Sequence, residues 1–432
     1  MNFSLWSFRF LLWYVCVLLV QPQNRFTFLW PLHIADISFI LAIGFHVLAC
    51  MEEQRPIVRF GPATVLTLVL MFFTFMSQFF GVYQASQAWC ATTDYIMKNA
   101  MLLIMVEAVA ISAQRVMATQ LVVLFSTLWW VKGGLRLSAL GATYSGDRLM
   151  GAAVSMIENP NGFAYMMCVF LPLYLWAYQQ APKKWMKSGF LACALAAIYI
   201  VFQTGSRTGL VTLVAIGTFL LPYYGRNHYK ALAVVALALY FILPLTGEQN
   251  MKRFRTIPQA VAAFLSPTRV QEEGPVSQED ESTEERKRKN IDSWGLIKEN
   301  IVFGVGVNAD PNKFVERFPM ARGEVHCEIL RAGVIMGIVG MGLYVGFIVL
   351  IFACGNWCRA HAGGWATLHD LGWTFQIQAV AIAIGGAFCP QPWHSPMMLL
   401  AGSASALYGI VKAEQARAGR TGGRGGVPAR PL

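Results

Sequence analysis

Apolar runs of about twenty residues recur along the chain and constrain its fold more than any other feature. A helix needs roughly 20 apolar residues to cross the hydrocarbon core of a bilayer. The hydrophobic fraction of 56% is too high for an ordinary soluble domain. The sequence therefore predicts an all-α polytopic membrane protein with about 12 transmembrane helices. The predicted spans lie near residues 5–20, 28–50, 62–83, 96–113, 116–133, 161–180, 188–204, 207–222, 230–246, 328–354, 368–389 and 395–413.

The basic residues of the connecting loops predict an orientation. With a cytoplasmic N-terminus, the short loops on the cytoplasmic side carry 15 Lys and Arg residues, and those on the outer side carry six. Short cytoplasmic loops collect basic residues, so this distribution predicts that both termini are cytoplasmic. The long polar segment from about 247 to 326 lies on the outer side in this topology and carries 12 basic residues. Long loops translocate regardless of charge, so it does not overturn the orientation.

The sequence divides into four parts. Residues 1–246 hold predicted spans 1–9, residues 247–326 form the outer loop, and residues 327–413 hold spans 10–12. Residues 414–432 are predicted to be a disordered cytoplasmic tail, rich in Gly and Arg. We interpret the tail as a segment that stays near anionic membrane lipids rather than as a nucleic-acid-binding one.

Two helices are predicted within the long loop. Residues 252–267 have apolar side chains at helical spacing and fit an amphipathic helix at the membrane interface. A second helix is predicted from Ser282, which forms a capping box with Glu285, and Glu285 with Lys289 forms an i,i+4 pair. This helix is expected to end at the "GVG" of residues 304–306.

The stretch "QTGSRTGLV" places Arg207 between two apolar runs. An arginine at membrane depth costs about 2.5 to 3.5 kcal/mol on insertion scales, so it needs a compensating group. One interpretation is that Arg207 extends its side chain to the interface from the end of its helix. The other is an anion site, because Gly205 and Gly209 allow close backbone approach and Ser206 can cap a helix that begins at Arg207.

Three further segments carry candidate groups, each with an ordinary structural interpretation. His326 follows the long loop, and it is either a hydrogen-bonding structural residue or a base with a suitable ordinary pKa. The "RKRK" of residues 286–289 is either the solvated face of a helix or a set of cations that approach a diphosphate. Arg148 and Asn161 lie around a turn on the same predicted side as Arg207 and His326.

Several common cofactor motifs are missing from the sequence. It contains no Walker motif, no Gly-rich dinucleotide fingerprint, no HExxH and no DxD-type carboxylate cluster. We therefore predict that arginines rather than a metal ion neutralise any bound phosphate, and that the protein needs no cofactor.

The order of these motifs resembles the O-antigen ligase and polymerase superfamily of bacterial envelope glycosyltransferases. The matching elements are "RLMG", "NPNGFA" before a span, "GSRTGL" at a later helix start, a long outer loop, "GVG", and a histidine followed by glycines. Members have a loop arginine about eighteen residues before that "GVG" element, and Arg286 fits this separation from Gly304. The family's aromatic residue four positions later is Asn290 here, which leaves Arg288 as an alternative. Cys327 and Ile335 also depart from the family pattern.

The resemblance implies transfer of a glycan from undecaprenyl diphosphate to the lipid A-core of lipopolysaccharide, at the periplasmic face of the bacterial inner membrane. It implies that Arg207 and Arg286, or Arg288, bind the diphosphate and that His326 accepts the acceptor's proton during an inverting displacement. Arg148 and Asn161 are then further ligands for phosphate or sugar.

Related activities remain open at this stage. Protein O-oligosaccharyltransferases, O-glycosylation ligases that accompany exosortases, and O-antigen polymerases resemble the chain in donor chemistry and differ in acceptor. A polysaccharide transporter or flippase would also need buried cations for an anionic cargo.

Overall fold

The computed structural model describes most of the chain. The described residues are 2–82, 91–143, 148–151, 158–227, 246–257, 278–307, 315–322, 325–362, 365–389 and 392–421, with single residues at 237, 240, 242, 244 and 309. Within these ranges the secondary structure is helical, apart from isolated β-bridge positions at Thr143 and Leu149, which pair with each other, and at Ala309. The longer helices are α1 (Phe3–Val20), α2 (Ile34–Glu52), α3 (Pro62–Phe80), α4 (Ala91–Val109), α5 (Ala113–Ala139), α6 (Pro160–Gln180), α7 (Lys184–Gln203), α8 (Arg207–Asn227), α9 (Glu248–Arg255), α10 (Gln278–Glu299), α11 (Glu328–His361), α12 (Ala366–Gly386) and α13 (Ser395–Thr421).

The membrane character of the chain is confirmed by length and composition. Among the described residues, 7 helical stretches are long and apolar enough to cross a bilayer. They are Phe3–Asn24, Thr27–Glu52, Pro62–Phe80, Ala113–Ala139, Lys184–Gln203, Glu328–His361 and Ser395–Arg417. The total of 12 spans stays a prediction, and the ninth predicted span, at 230–246, lies mostly outside the described residues.

The core of the bundle forms around α6 and α11. Nearly every residue of α6 between Pro160 and Ala177 is buried, as expected for a helix that is apolar on all sides. It packs against α7, α8 and α12, while α11 packs against α3, α12 and α13. These contacts bring the start of α8 and the start of α11 to the same part of the molecule, where α6 also begins.

α11 is broken near its start. Met336 and Gly337 have non-helical backbone angles, and Gly337 has a φ of 65°. Glu328 and Tyr344 are sixteen residues apart, which is about 24 Å along a straight helix, yet their side chains are hydrogen-bonded. Residues 328–335 therefore fold back against the segment that follows the break. This corrects the predicted span at 328–354, because its first turns do not continue the membrane helix.

Three predicted boundaries near the loop and the tail are also wrong. α9 begins at Glu248, before the predicted start at 252, and the rest of that prediction, residues 258–267, lies outside the described residues. α10 begins at Gln278, so Ser282 lies inside the helix and cannot cap it. Residues 279–281 are acidic, and acidic residues in the first turn favour this earlier start because they lie at the positive end of the helix dipole. α13 continues to Thr421, so residues 414–421 are helical rather than disordered. Their alanines and long charged residues favour a helix.

Candidate functional site

Arg207 is held at the N-terminus of α8 by a tight turn. Gly205 ends the preceding helix with a φ of 58°, a conformation that glycine adopts without strain. The Ser206 hydroxyl accepts a hydrogen bond from the Gly209 N–H at 3.2 Å, so the predicted cap is confirmed. The Arg207 guanidinium is partly exposed and donates to the Thr256 hydroxyl at 3.3 Å. This arrangement places a cation at the positive end of a helix dipole, where an anion is stabilised.

The short helix α9 docks onto this turn through Asn250. A Cβ atom at Gly205 would lie 2.0 Å from the Asn250 Oδ1 atom, so only glycine allows the contact. The Asn250 amide donates to the Gln203 carbonyl at 3.3 Å. Arg253, three residues after Asn250, lies on the same face of the helix. Docking of α9 therefore carries a second arginine toward Arg207.

Arg286 completes a group of three arginines. It is half-buried on α10. Burial lowers the pKa of its guanidinium, and the positive charges of Arg207 and Arg253 lower that pKa further. We call Arg207, Arg253 and Arg286 the cation cluster. Three like charges held together repel one another, and a bound anion would relieve this repulsion.

The acidic residue beside Arg286 does not neutralise the cation cluster. Glu285 forms an ion pair with Lys289 at 2.8 Å, as the sequence predicted. That pair lowers the pKa of the Glu285 carboxyl, and His326 and Arg286 contribute in the same direction. Glu285 is exposed, so its effect on Arg286 is screened by solvent. The same interactions show that His326 and Arg286 both lie within electrostatic range of one carboxylate.

His326 is partly exposed and lies two residues before α11. The structure thus brings together three of the residues proposed from the sequence: Arg207, Arg286 and His326. Arg288, the alternative to Arg286, is exposed on α10. Arg253 is an addition, because its sequence neighbourhood showed only an amphipathic basic segment and not which helix it meets.

Arg148 and Asn161 bind each other beside the Arg207 turn. The Arg148 guanidinium donates to Asn161 Oδ1 at 2.9 Å and to the Thr204 carbonyl at 3.1 Å. Asn159 caps α6 by accepting from the Gly162 N–H at 2.8 Å, which fixes the position of Asn161. These contacts join the start of α6 to the turn between α7 and α8.

The "GVG" segment and the residues just before it form hydrogen bonds with the backbone of α11 at its break. The Val305 N–H donates to the Val334 carbonyl at 2.8 Å, and the Ile338 N–H donates to the Ile301 carbonyl at 2.7 Å. In an unbroken helix, the Ile338 N–H would donate to the Val334 carbonyl. The break separates these two groups, and residues 301–305 supply a hydrogen-bond partner for each of them. The Ser77 hydroxyl donates to the Ile335 carbonyl at 2.7 Å, on the same side. α10 and the short segment after His326 are thereby joined.

Family models match both halves of the chain. Residues 191–345 match the model described as O-antigen ligase, and this range includes the cation cluster, His326 and the break in α11. This match supports the predicted resemblance to the O-antigen ligase superfamily. Residues 5–181, which include Arg148 and Asn161, match a family of unknown function, DUF5935. No curated protein matches the chain.

The match to the O-antigen ligase model favours a glycosyltransferase-like membrane enzyme. The cation cluster suits a phosphate-bearing ligand, since guanidinium groups form charge-assisted hydrogen bonds with phosphate oxygens. In the described part of the chain, no group of three or more His, Cys, Asp or Glu residues is arranged to hold a metal ion.

The sequence did not predict a second cluster of polar side chains, which lies near the candidate site. Glu328, Tyr165, Tyr344 and His394 are buried together just beyond His326. The sequence does indicate this group: Glu328 lies two residues after His326, at the start of an apolar run. Ionisable residues at membrane depth are often functional.

Proposed function

We propose that the protein is an O-antigen ligase, which transfers a glycan from undecaprenyl diphosphate to the lipid A-core of lipopolysaccharide. One observation carries the proposal: the cation cluster surrounds the N-terminus of α8 within the region that matches O-antigen ligase. In the topology predicted from the loop charges, this site faces the periplasm.

The donor's chemistry fits such a site. Its polyprenyl chain must remain in lipid while its diphosphate reaches the interface, where Arg207 and Arg286 would bind the phosphate oxygens. Charge grows on the diphosphate as the glycosidic C–O bond breaks. Fixed guanidinium groups stabilise this charge in the transition state, with Arg253 as an additional contributor.

The reaction itself is proposed as one inverting displacement. The acceptor hydroxyl attacks the anomeric carbon from the face opposite the diphosphate, and a new C–O bond forms as the old one breaks. His326 accepts the hydroxyl proton and later releases it to solvent. The arginines supply the charge stabilisation, so the proposed reaction needs no metal ion. Arg148 and Asn161 are proposed as further ligands for phosphate or sugar beside the Arg207 turn.

Transfer between purified components would test the proposal. The protein would be placed in nanodiscs with labelled undecaprenyl diphosphate glycan, lipid A-core and EDTA. We expect label on the core lipid with the native chain and none with Arg207→Ala or His326→Ala. His326→Ala should still bind the donor, whereas Arg207→Ala should bind it more weakly.

Arg255→Ala is the matched control, because Arg255 is an exposed arginine on α9, the helix that carries Arg253. It should transfer label like the native chain. Label on a peptide would instead indicate a protein O-oligosaccharyltransferase or an O-glycosylation ligase. Label on a longer carrier-linked chain would indicate a polymerase. Donor movement across the bilayer without a covalent product would indicate a flippase.

A further inference from the structure

A carboxylate is buried beneath the candidate site within the helix bundle. Glu328 is fully buried and accepts a hydrogen bond from the Tyr344 hydroxyl. The Tyr165 hydroxyl lies 3.0 Å from His394 Nε2, and that nitrogen lies 3.8 Å from Glu328 Oε1. We call Glu328, Tyr344, Tyr165 and His394 the Glu328 network. The mechanism proposed above uses none of these four residues.

The hydrogen bonds of the Glu328 network have a defined direction. The Met397 N–H donates to His394 Nδ1 at 3.1 Å, so Nδ1 is an acceptor and Nε2 carries the ring proton. Nε2–H then donates to the Tyr165 oxygen, and the Tyr165 hydroxyl lies within electrostatic range of Glu328. The Glu328 carboxyl group thus accepts from Tyr344 and lies beside the Nε2–H group of His394.

The surrounding backbone is shaped to accommodate this network. A Cβ atom at Gly386 would lie 2.3 Å from the Tyr344 hydroxyl and 2.6 Å from Glu328 Oε2. A Cβ atom at Gly385 would lie 2.2 Å from the Tyr165 ring. Trp393, just before His394, is fully buried with a φ of 55°, a conformation that bulky residues rarely adopt. Glycines and a strained tryptophan therefore keep these four side chains together.

The network joins the elements that carry the site. Glu328 is two residues from His326, and Tyr165 is one helical turn after Asn161 on α6. Tyr344 lies beyond the break in α11, and His394 lies at the start of α13. One carboxylate thus fixes the chain that bears His326 against three other parts of the bundle.

We propose that Glu328 is a positioning residue, which holds His326 at the place where it accepts the acceptor's proton. The proposal rests on the function proposed above for the same site. Reacting groups need rigid support, and a displacement of about 1 Å lowers a rate by roughly 100-fold. The donor's diphosphate is held separately, by the cation cluster, so a change at Glu328 should affect turnover and leave donor binding intact.

Glu328→Gln tests this assignment, because it preserves the size of the side chain and replaces one carboxyl oxygen with an amide NH2 group, which cannot accept a hydrogen bond. Glu107→Gln is the matched control: Glu107 is also fully buried and accepts from Thr64 and Ser405. Glu107 lies far from the Glu328 network along α4. Tyr95 on that helix is within electrostatic range of Glu328, and Glu107 is twelve residues, or about 18 Å, further along the helix. Tyr165→Phe is a second variant, which keeps the ring and removes the hydroxyl that contacts His394 within the Glu328 network.

We expect Glu328→Gln to lower kcat by roughly 100-fold while its KM for the donor and its melting temperature stay near native values. Tyr165→Phe should lower kcat by a smaller factor, and Glu107→Gln should leave kcat near native. Native kcat in Glu328→Gln would overturn the proposal. So would a joint loss of melting temperature and donor affinity, which would indicate a general structural role.

A measurement that does not depend on turnover separates this proposal from the proposed function. The rate at which diethyl pyrocarbonate modifies His326 would be followed by peptide mass spectrometry, with the exposed His33 as an internal reference. Glu328→Gln should change the rate at His326 and leave the rate at His33 unchanged. If the native chain transfers no glycan, the proposed function fails, and the modification rates still decide the role of Glu328. Equal rates at His326 in the two proteins would overturn the positioning role.

Discussion

Arg286 and Arg288 show how two residues of the same type, two positions apart, acquire different surroundings. On a helix they point roughly 200° apart, so one can face the bundle while the other faces outward. Arg286 is half-buried within range of Arg207 and Arg253, and Arg288 is exposed. The spacing to "GVG" favoured Arg286, and the departure at Asn290 left Arg288 open. The direction of each side chain places Arg286, rather than Arg288, beside the other arginines of the proposed diphosphate site.

We therefore expect Arg286→Ala to lower kcat/KM for glycan transfer more than Arg288→Ala does. The loss of one charge-assisted hydrogen bond, about 1.5 to 3 kcal/mol, corresponds to roughly 10- to 150-fold. The two variants would be compared at several salt concentrations, because an exposed charge acts through screened, long-range attraction. A larger loss in Arg288→Ala would assign the diphosphate contact to Arg288.

At the level of the element, the break in α11 decides where His326 lies. The broken helix would leave open backbone groups near the membrane, and residues 301–305 pair with them. The "GVG" segment is itself packed against the end of α3, where a Cβ atom at Gly81 would lie 2.3 Å from the Gly306 Cα atom. The "GVG" segment therefore connects α10, which carries Arg286, to the segment that follows His326.

Gly337→Ala should disturb this connection. Its φ of 65° disfavours any side chain, at about 1 to 3 kcal/mol, and the added Cβ would lie 2.1 Å from the Ile301 carbonyl oxygen. We expect a lower melting temperature and a strong loss of transfer.

Gly342→Ala is the matched control on the same helix, because nothing lies within 4 Å of its added Cβ. It should behave like the native protein. A Gly337→Ala protein with native stability and activity would mean that the break does not depend on this glycine.

At the level of the whole molecule, the site residues come from parts of the chain that are far apart in sequence. Arg148, Arg207, Arg286 and His326 are brought to one region by the packing of α6, α8, α10 and α11. A transfer reaction with a membrane-bound donor needs this region to face one compartment. The loop charges predict that it is the periplasm.

Labelling of single introduced cysteines would test that orientation. Lys298 is exposed on α10, in the predicted periplasmic loop, and Glu414 lies near the predicted cytoplasmic end of α13. In a background without native cysteines, a membrane-impermeant maleimide should label Lys298→Cys in intact cells. It should label Glu414→Cys only after lysis. The reverse pattern would invert the topology and place the site in the cytoplasm.

The sequence by itself determined the membrane class, most helix positions and the cap at Ser206, and it predicted three residues that lie together at the candidate site. These properties depend on local hydropathy, local capping and the spacing of motifs, which a linear chain expresses directly. Only the tertiary structure decided the fold-back of residues 328–335, the placement of Arg286 and Arg253 near Arg207, and the burial of Glu328 with Tyr165 and His394. Each of these depends on contacts between residues distant in sequence, and no local pattern specifies which helices will meet.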